Sequence, residues 1–299
     1  MREETDFRIP EDHARGRLPD DAGQRLGHTV RRICVSKDDP LFAEIRHFER
    51  EFRARGDVFF TGWNTRRRYS RRELERAALF LVVPRREFEP AGEQCGTVYD
   101  DASTCDYVFD QSSGIDIGGR HVTMSASTCG AGARQVSPLF LDVRRIPRAV
   151  DFARTIANEI VVSARAADVI REARLTGVEL APVRASNEGG TPSQTHFQLR
   201  TKGPTVELDD ATLAGGDLFD ESAYGRCPRG HVAGLNLLSE VSVQRRSLVD
   251  ADVLATRQLV GVRRGLLRPW PILLLSPSAW RAFDSAKLRG LVIEVAHIV

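Results

Sequence analysis

Several residue types that would betray a specialised environment are scarce in this 299-residue sequence. There are five cysteines, Cys34, Cys95, Cys105, Cys129 and Cys227, too few and too unevenly spaced for the disulfide scaffold of a small secreted domain. In a reducing cytosol they stay thiols, as core fillers, metal ligands or reactive groups. Long apolar runs are also missing. The longest lie around Ala77 to Val83 and Ile272 to Leu275, far short of the roughly 20 residues that cross a bilayer. The first 28 residues mix acids and bases around Pro10, Gly16 and Pro19 and lack the apolar centre of a signal peptide. A cytoplasmic protein with a loose N-terminal arm, residues 1–28, is expected. No sign of charge dominates, since 43 basic and 41 acidic side chains leave a formal +2. That balance excludes an overall field demanding DNA or a membrane surface. Lysine is nearly absent, three against 40 arginines, a bias given no functional weight by itself.

What is present describes a globular chain. With 41% hydrophobic and 28% charged residues, it is long enough to bury a sizeable core, and whole-chain disorder, collagen or coiled coil is excluded. Arg31 to Val35 alternates like a short strand, and Leu41, Phe42, Ile45, Phe48 and Phe52 recur at helical spacing over Asp39 to Arg53. Ser70 followed by Glu73 is a capping box, which predicts a helix from Arg71 to about Phe80 and a strand near Leu81 to Pro84.

The most informative pattern occurs twice. A buried-looking strand ends in Ser, a helix of about ten residues follows, and Leu-x-Gly leads into another strand. The first copy runs Ile160 to Ser163, Ala164 to Arg174, Leu175-Thr176-Gly177 and Val178 to Val183; the second runs Leu273 to Ser276, Pro277 to Lys287, Leu288-Arg289-Gly290 and Leu291 to Val299. Serine and leucine are twelve residues apart in both copies, serine and glycine fourteen. Ser163 and Ser276 suit the N-cap, Pro277 the first helical position, and Gly177 and Gly290 the left-handed turn that closes a helix. Neither serine sits in Gly-x-Ser-x-Gly, so capping is favoured over a nucleophilic role. Between the copies, His196 to Arg200 and Thr205 to Leu208 read as strands joined at Lys202-Gly203-Pro204. Val232 to Ser247 is ambiguous, with its second half read as strand. The expected fold class is α+β: a mixed sheet with two similar strand-helix-strand units and a cysteine-bearing, zinc-ribbon-like insert. After the arm, residues 29–148 and 149–299 form the expected N-terminal and C-terminal regions.

Chemistry concentrates on four residues. Cys227-Pro228-Arg229-Gly230-His231 places two good zinc ligands in one tight turn, and Cys105 and Cys129 complete a Cys3His set of the thiolates and imidazole that zinc prefers. Twenty-three residues separate Cys105 from Cys129. The alternating Ile115-Asp116-Ile117 before Gly118-Gly119 reads as a hairpin inserted between the two, and a hairpin brings its ends together. The bland alternative is that these cysteines are ordinary buried or exposed side chains. His121 is an alternative fourth ligand; Cys34 and Cys95 are read as non-ligands. The expectation is one structural zinc ion. A catalytic zinc would keep an open position and need a nearby acid or base; Asp100, Asp101 and Glu240 are candidates that no spacing selects. Cys227 as a nucleophile beside His231 suits the turn less well than joint ligation.

The Cys129-Gly130 knuckle, the strand-Ser-helix-Leu-Thr-Gly-strand unit from Ser163 and the terminal Ser-Pro-x-x-Trp-helix-Leu-x-Gly-strand from Ser276 resemble the myxobacterial double-CXXCG paralogous family, some members of which are described as immunity proteins. The resemblance covers residues 95–299. Two departures stand out: the first knuckle is split between Cys105 and Cys129, and the second has His231 where the family has Cys-Gly. The resemblance implies a bacterial, cytoplasmic, non-catalytic protein-binding module that neutralises a toxin or other protein partner by stoichiometric binding. The alternatives are a zinc-ribbon-like nucleic-acid binder using Arg66, Arg67, Arg68, Arg245, Arg246, Arg263 and Arg264, with steep salt dependence, and a zinc-dependent hydrolase. The motifs weigh against an enzyme.

Overall fold

A computed structural model describes residues 1–90, 95–117, 120–219 and 224–299. The chain divides into two compact units, Met1–Arg76 with Asp217–Glu221, and Ala77–Gly216 with Ser222–Val299. The division expected near residue 148 therefore falls inside the second unit.

In the first unit, a four-stranded antiparallel sheet has the order Gln24–Leu26, Val30–Ser36, Arg2–Pro10, Gly62–Arg68. The expected loose arm is instead an inner strand of this sheet. Thr5, Phe7 and Ile9 alternate with Glu4, Asp6 and Arg8, so one face is fully buried while the other carries charge. Phe7 and Ile9 pack with Ile33, Ile45, Phe52 and Phe59 beneath the helix Pro40–Arg53, whose N-cap Asp39 accepts from the Leu41 amide at 2.9 Å. Arg31 points into this core and survives there because Glu11 meets it in a two-pronged ion pair at 2.5 and 3.0 Å, while the Pro19 carbonyl takes a third N–H. The capping box is reciprocal: Glu73 accepts from the Ser70 amide at 2.7 Å and Ser70 Oγ from the Glu73 amide at 3.3 Å. Its helix spans only Arg71–Arg76, because the apolar stretch after it is drawn into a strand, Leu79–Pro84, of the second unit.

The second unit contains two six-stranded sheets with the same plan. One has the order Phe140–Leu141, Val178–Ala185, Thr191–Thr201, Ile160–Ser163, Phe152–Thr155, Glu87–Phe88. The other has Val241–Val243, Leu291–Ile298, Leu79–Pro84, Trp270–Leu275, Val253–Val260, Val232–Gly234. In both, the outermost pair at each end is parallel and every inner pair antiparallel. The register is also shared: Ile160 faces Leu199 as Leu273 faces Val82, and Val178 faces Thr201 as Leu291 faces Pro84. The structure is thus a duplication of a five-element unit. Leu79–Pro84, Phe152–Thr155, Ile160–Ser163, the helix Ala164–Glu172 and Val178–Ala185 form the first repeat; Thr191–Thr201, Val253–Val260, Trp270–Leu275, the helix Pro277–Ser285 and Leu291–Ile298 form the second. Each repeat lends its first strand to the centre of the other repeat's sheet.

The caps follow the duplication. Ser163 Oγ accepts from Ala166 at 3.2 Å and Ser276 Oγ from Ala279 at 3.1 Å, so both serines cap helices as expected. Each donates in turn to an aspartate, Ser163 to Asp151 at 2.9 Å and Ser276 to Asp252 at 2.8 Å. The second oxygen of each carboxylate reaches across to the other repeat: Asp151 accepts from the Arg289 amide at 2.8 Å, and Asp252 from the Thr176 amide at 3.0 Å. Buried positions on the helices match as well, Ala166, Ala167 and Ile170 against Ala279, Trp280 and Phe283. Trp280 stacks on Phe80 with ring centroids 4.9 Å apart, and Phe283 lies 5.3 Å from Phe152.

Two sequence expectations change. Thr205 to Leu208, expected as a strand, forms only two isolated bridges, Val206 to Thr256 and Leu208 to Val243, because the turn at Gly203 sends the chain over to the other sheet. The insert is not a zinc ribbon either, since its two cysteines share one ladder and the other two donors come from a separate segment.

Candidate metal centre

The hairpin expected between Cys105 and Cys129 forms. Ser113–Ile117 pairs with Arg120–Met124, and Val108–Asp110 with Ser127–Thr128. Gly118 and Gly119, its expected tip, lie outside the described residues, as does the side chain of His121. The ladder continues to the cysteines: Cys129 N donates to the Tyr107 carbonyl at 2.9 Å, Gly130 N to Cys105 at 3.0 Å, and Cys105 N to Ala131 at 2.7 Å. Closing the ladder is what sets Cys105 beside Cys129. Gly130 has φ +63°, and a Cβ there would stand 2.5 Å from Arg263 Cβ, so only glycine admits this turn.

The second segment is a tight turn. Gly230 N donates to the Cys227 carbonyl at 2.9 Å and Cys227 N to Val232 at 3.0 Å. The Leu259 amide donates to the His231 carbonyl at 2.8 Å, tying the turn to strand Val253–Val260. Cys105 Sγ and Cys227 Sγ are 3.8 Å apart, Cys227 Sγ and His231 Nδ1 3.8 Å, and Cys129 Sγ and His231 Nδ1 3.9 Å. All four donor atoms lie within 4.8 Å of one another. A tetrahedron with metal–sulfur bonds of about 2.3 Å has sulfur–sulfur edges of about 3.8 Å, so the spacing fits one metal ion with little movement. The cysteines are buried among Phe109, Ala131, Val232 and Leu259, while His231 is exposed.

The electrostatics also suit a cation. Burial opposes ionisation of Cys105, but the Tyr107 amide and hydrogen bonds with His231 and the other thiols outweigh it and bring this thiol down to about 7. Burial, reinforced by the neighbouring Cys105 and Cys227, pushes Cys129 up to about 12. A divalent cation at the centre would let all the thiols ionise together. Arg229, inside the ligand turn, donates from Nη1 to Cys105 Sγ at 3.3 Å and to Asp106 at 3.1 Å. It offsets part of the negative charge that three thiolates bring, and its place between the two ligands of Cys227-Pro228-Arg229-Gly230-His231 was the available sequence signal.

The other candidates lie elsewhere. Cys34 is exposed, and Cys95 Sγ lies 3.3 Å from Ser186 Oγ. Asp100 pairs with Arg134, Asp101 with Arg263 and Arg268, and Glu240 with His297, so each proposed base is engaged in its own contact. Of the arginines considered for nucleic acid, Arg67 is buried on Glu3, Arg263 meets Asp101 and Arg264 approaches Asp110. Fold and site together define a duplicated α+β protein with a Cys3His cluster able to hold a metal. No protein-family model matches the chain, and no curated protein matches it in sequence. Among the described residues no helix is long and apolar enough to cross a membrane.

Proposed function

We propose that the chain is a non-catalytic protein-binding module whose insert is stapled by one structural zinc ion. The observation that carries this reading is the closed donor set: Cys105, Cys129, Cys227 and His231 supply four ligands at tetrahedral spacing, whereas a catalytic zinc keeps a position for water or substrate. Three thiolates and an imidazole favour zinc over harder cations. The ion's chemistry here is structural: it joins the base of the hairpin to the turn at Cys227, two segments 98 residues apart counted from Cys129 to Cys227. The stapled region exposes Tyr107 and Val108, side chains of the kind that partner proteins cover. The family resemblance makes that partner a toxin-like protein neutralised by occlusion.

The test has two arms. Elemental analysis of purified protein is expected to give about one zinc per chain, reduced to none in a Cys227→Ser, His231→Ala double variant with a lower melting temperature. Zinc absent from the wild type would remove the staple. Co-purification from the native host is expected to yield one protein partner at fixed stoichiometry, and recovery of an enzymatic activity without a partner would overturn the binding role.

A further inference from the structure

The sulfurs that meet at the metal centre are also close enough to bond to one another. Cys105 Sγ and Cys227 Sγ stand 3.8 Å apart, and a disulfide of about 2.05 Å needs each to move by roughly 1 Å. The two thiols come from different segments, the hairpin base and the tight turn, so a bond between them would join the same pair that the ion joins. They also keep some exposure: Cys105 is 7% and Cys227 5% accessible, whereas Cys129 is 0%. His231 is exposed beside them, which places the centre just under the surface.

Arg229 sets this cluster apart from an inert structural site. Its side chain is 57% exposed, yet Nη1 reaches inward to Cys105 Sγ at 3.3 Å and also donates to Asp106 at 3.1 Å. Among the described residues, its Nε and Nη2 have no hydrogen-bond partner. N–H donors of the same guanidinium therefore remain free close to the sulfur. A cation there favours the thiolate, which is the reactive form. Free N–H groups beside a thiolate also suit a hydroperoxide: they hold one oxygen and stabilise the charge that develops on it as the O–O bond breaks.

We propose that Cys105 and Cys227 are a hydroperoxide-reactive pair, with Arg229 as the positioning residue, and that their oxidation exchanges the zinc staple for a covalent one. The Cys105 thiolate attacks one peroxide oxygen; an S–O bond forms, the O–O bond breaks, and the second oxygen leaves as hydroxide and takes a proton to become water. The Cys227 thiolate then attacks the Cys105 sulfur; the S–S bond forms, the S–O bond breaks, and a second hydroxide leaves and is protonated. In sum the two thiolates give up two electrons, and hydrogen peroxide takes them with two protons to become two waters. Zinc is left with only Cys129 and His231 and departs. The release step rests on the structural zinc ion proposed for this centre; the disulfide does not.

The test uses the full chain in a Cys34→Ser background, which removes the exposed thiol. Zinc content is measured first, hydrogen peroxide is added, and free zinc is followed with a chromogenic chelator beside peptide mapping of disulfides by mass spectrometry. About one zinc per chain is expected to appear in step with a bond between Cys105 and Cys227, and dithiothreitol with added zinc should restore both the thiols and the ion. Arg229→Met, which keeps the aliphatic stem and removes the guanidinium, is expected to hold zinc as before and to form the bond about tenfold more slowly. Arg229→Lys, which restores the charge, should recover most of that loss. If the methionine variant fails to hold zinc, Arg229→Gln takes its place and the same slowing is expected. The proposal falls if Cys105 and Cys227 stay reduced, if the mapped bond joins another pair, or if the wild type and the uncharged variant react at one rate. It also falls if the lysine variant is as slow as the uncharged one. Zinc absent before the oxidant is added overturns the staple and the release step with it, whereas failure of the bond to form in a zinc-loaded chain overturns the reactive pair alone.

Discussion

Asp151 and Asp252 each do two jobs with one carboxylate. One oxygen takes the hydroxyl proton of the serine that caps a helix in the same repeat, and the other takes an amide from the Leu-x-Gly turn of the other repeat. The helix cap and the contact between repeats are thereby coupled through a single side chain. For Asp252, burial works against the charge, but the Thr176 amide, the Ser276 hydroxyl and the Thr176 hydroxyl outweigh it and hold the carboxyl below its usual range. A lowered folded-state value means that this contribution is complete above the unfolded value of about 3.9 and is lost as pH falls through the folded one. Asp252→Asn is expected to lower stability by about 1–3 kcal/mol at neutral pH. Urea unfolding at pH 7 and at pH 3 checks it: the gap between variant and wild type should narrow in acid, and a gap independent of pH would refute the role of the charge.

At the level of elements, the two helices end in the same way because the chain has nowhere else to go. Arg174 and Lys287 have positive φ, as do Gly177 and Gly290. A Cβ on Gly177 would lie 2.1 Å from the Val253 carbonyl, and one on Gly290 would lie 2.4 Å from that of Phe152. These glycines let one repeat's turn sit directly on the other repeat's strand. Gly290→Ala should therefore cost well over about 1 kcal/mol, since backbone strain and a backbone collision add. Gly203, with φ +115° and nothing within 4 Å of its would-be Cβ, is the control, where only strain is expected. Equal losses in chemical denaturation would contradict the close-approach argument. Helix lengths were legible to within two residues from Ser163 and Ser276, because caps are local. The helix after Ser70 ends earlier than its capping box predicts, because the following apolar residues are claimed by a sheet whose other strands lie far along the chain.

For the second unit, the duplication means that neither repeat closes a sheet from its own contiguous residues. A fragment of residues 149–299 contains both serine-capped helices yet lacks Leu79–Pro84, the strand between Trp270–Leu275 and Leu291–Ile298. It also lacks Cys105 and Cys129. Such a fragment is expected to show no cooperative thermal transition by circular dichroism, whereas the full chain should show one; a sharp transition in the fragment would mean that the borrowed strand is dispensable. The same logic explains why the boundary near 148 looked natural in sequence: it precedes the first visible repeat, but the repeat's opening strand lies almost seventy residues earlier, beyond the whole cysteine-bearing insert.

The sequence by itself determined the features with short range: the serine caps, the glycine turns, the Pro40–Arg53 helix, the hairpin between Cys105 and Cys129, and the tight turn that carries Cys227 and His231. Each depends on spacing within one or two elements, whereas the meeting of the two ligand pairs is a tertiary contact. The N-terminal strand was legible too, in the alternation of Thr5, Phe7 and Ile9 with charged neighbours, but the nearby Pro10, Gly16 and Pro19 drew the reading towards a loose arm. Only the tertiary structure decided the rest. Asp151 precedes its serine by twelve residues and Asp252 by twenty-four, because the hairpins joining the paired strands differ in length, so no fixed spacing reveals the match. The borrowed strands are separated from their sheets by long inserts, and the two repeats become comparable only once strand register aligns Leu199 with Val82. Side chains distant in sequence meet through backbone pairing between non-neighbouring strands, and that pairing is a property of the folded chain as a whole.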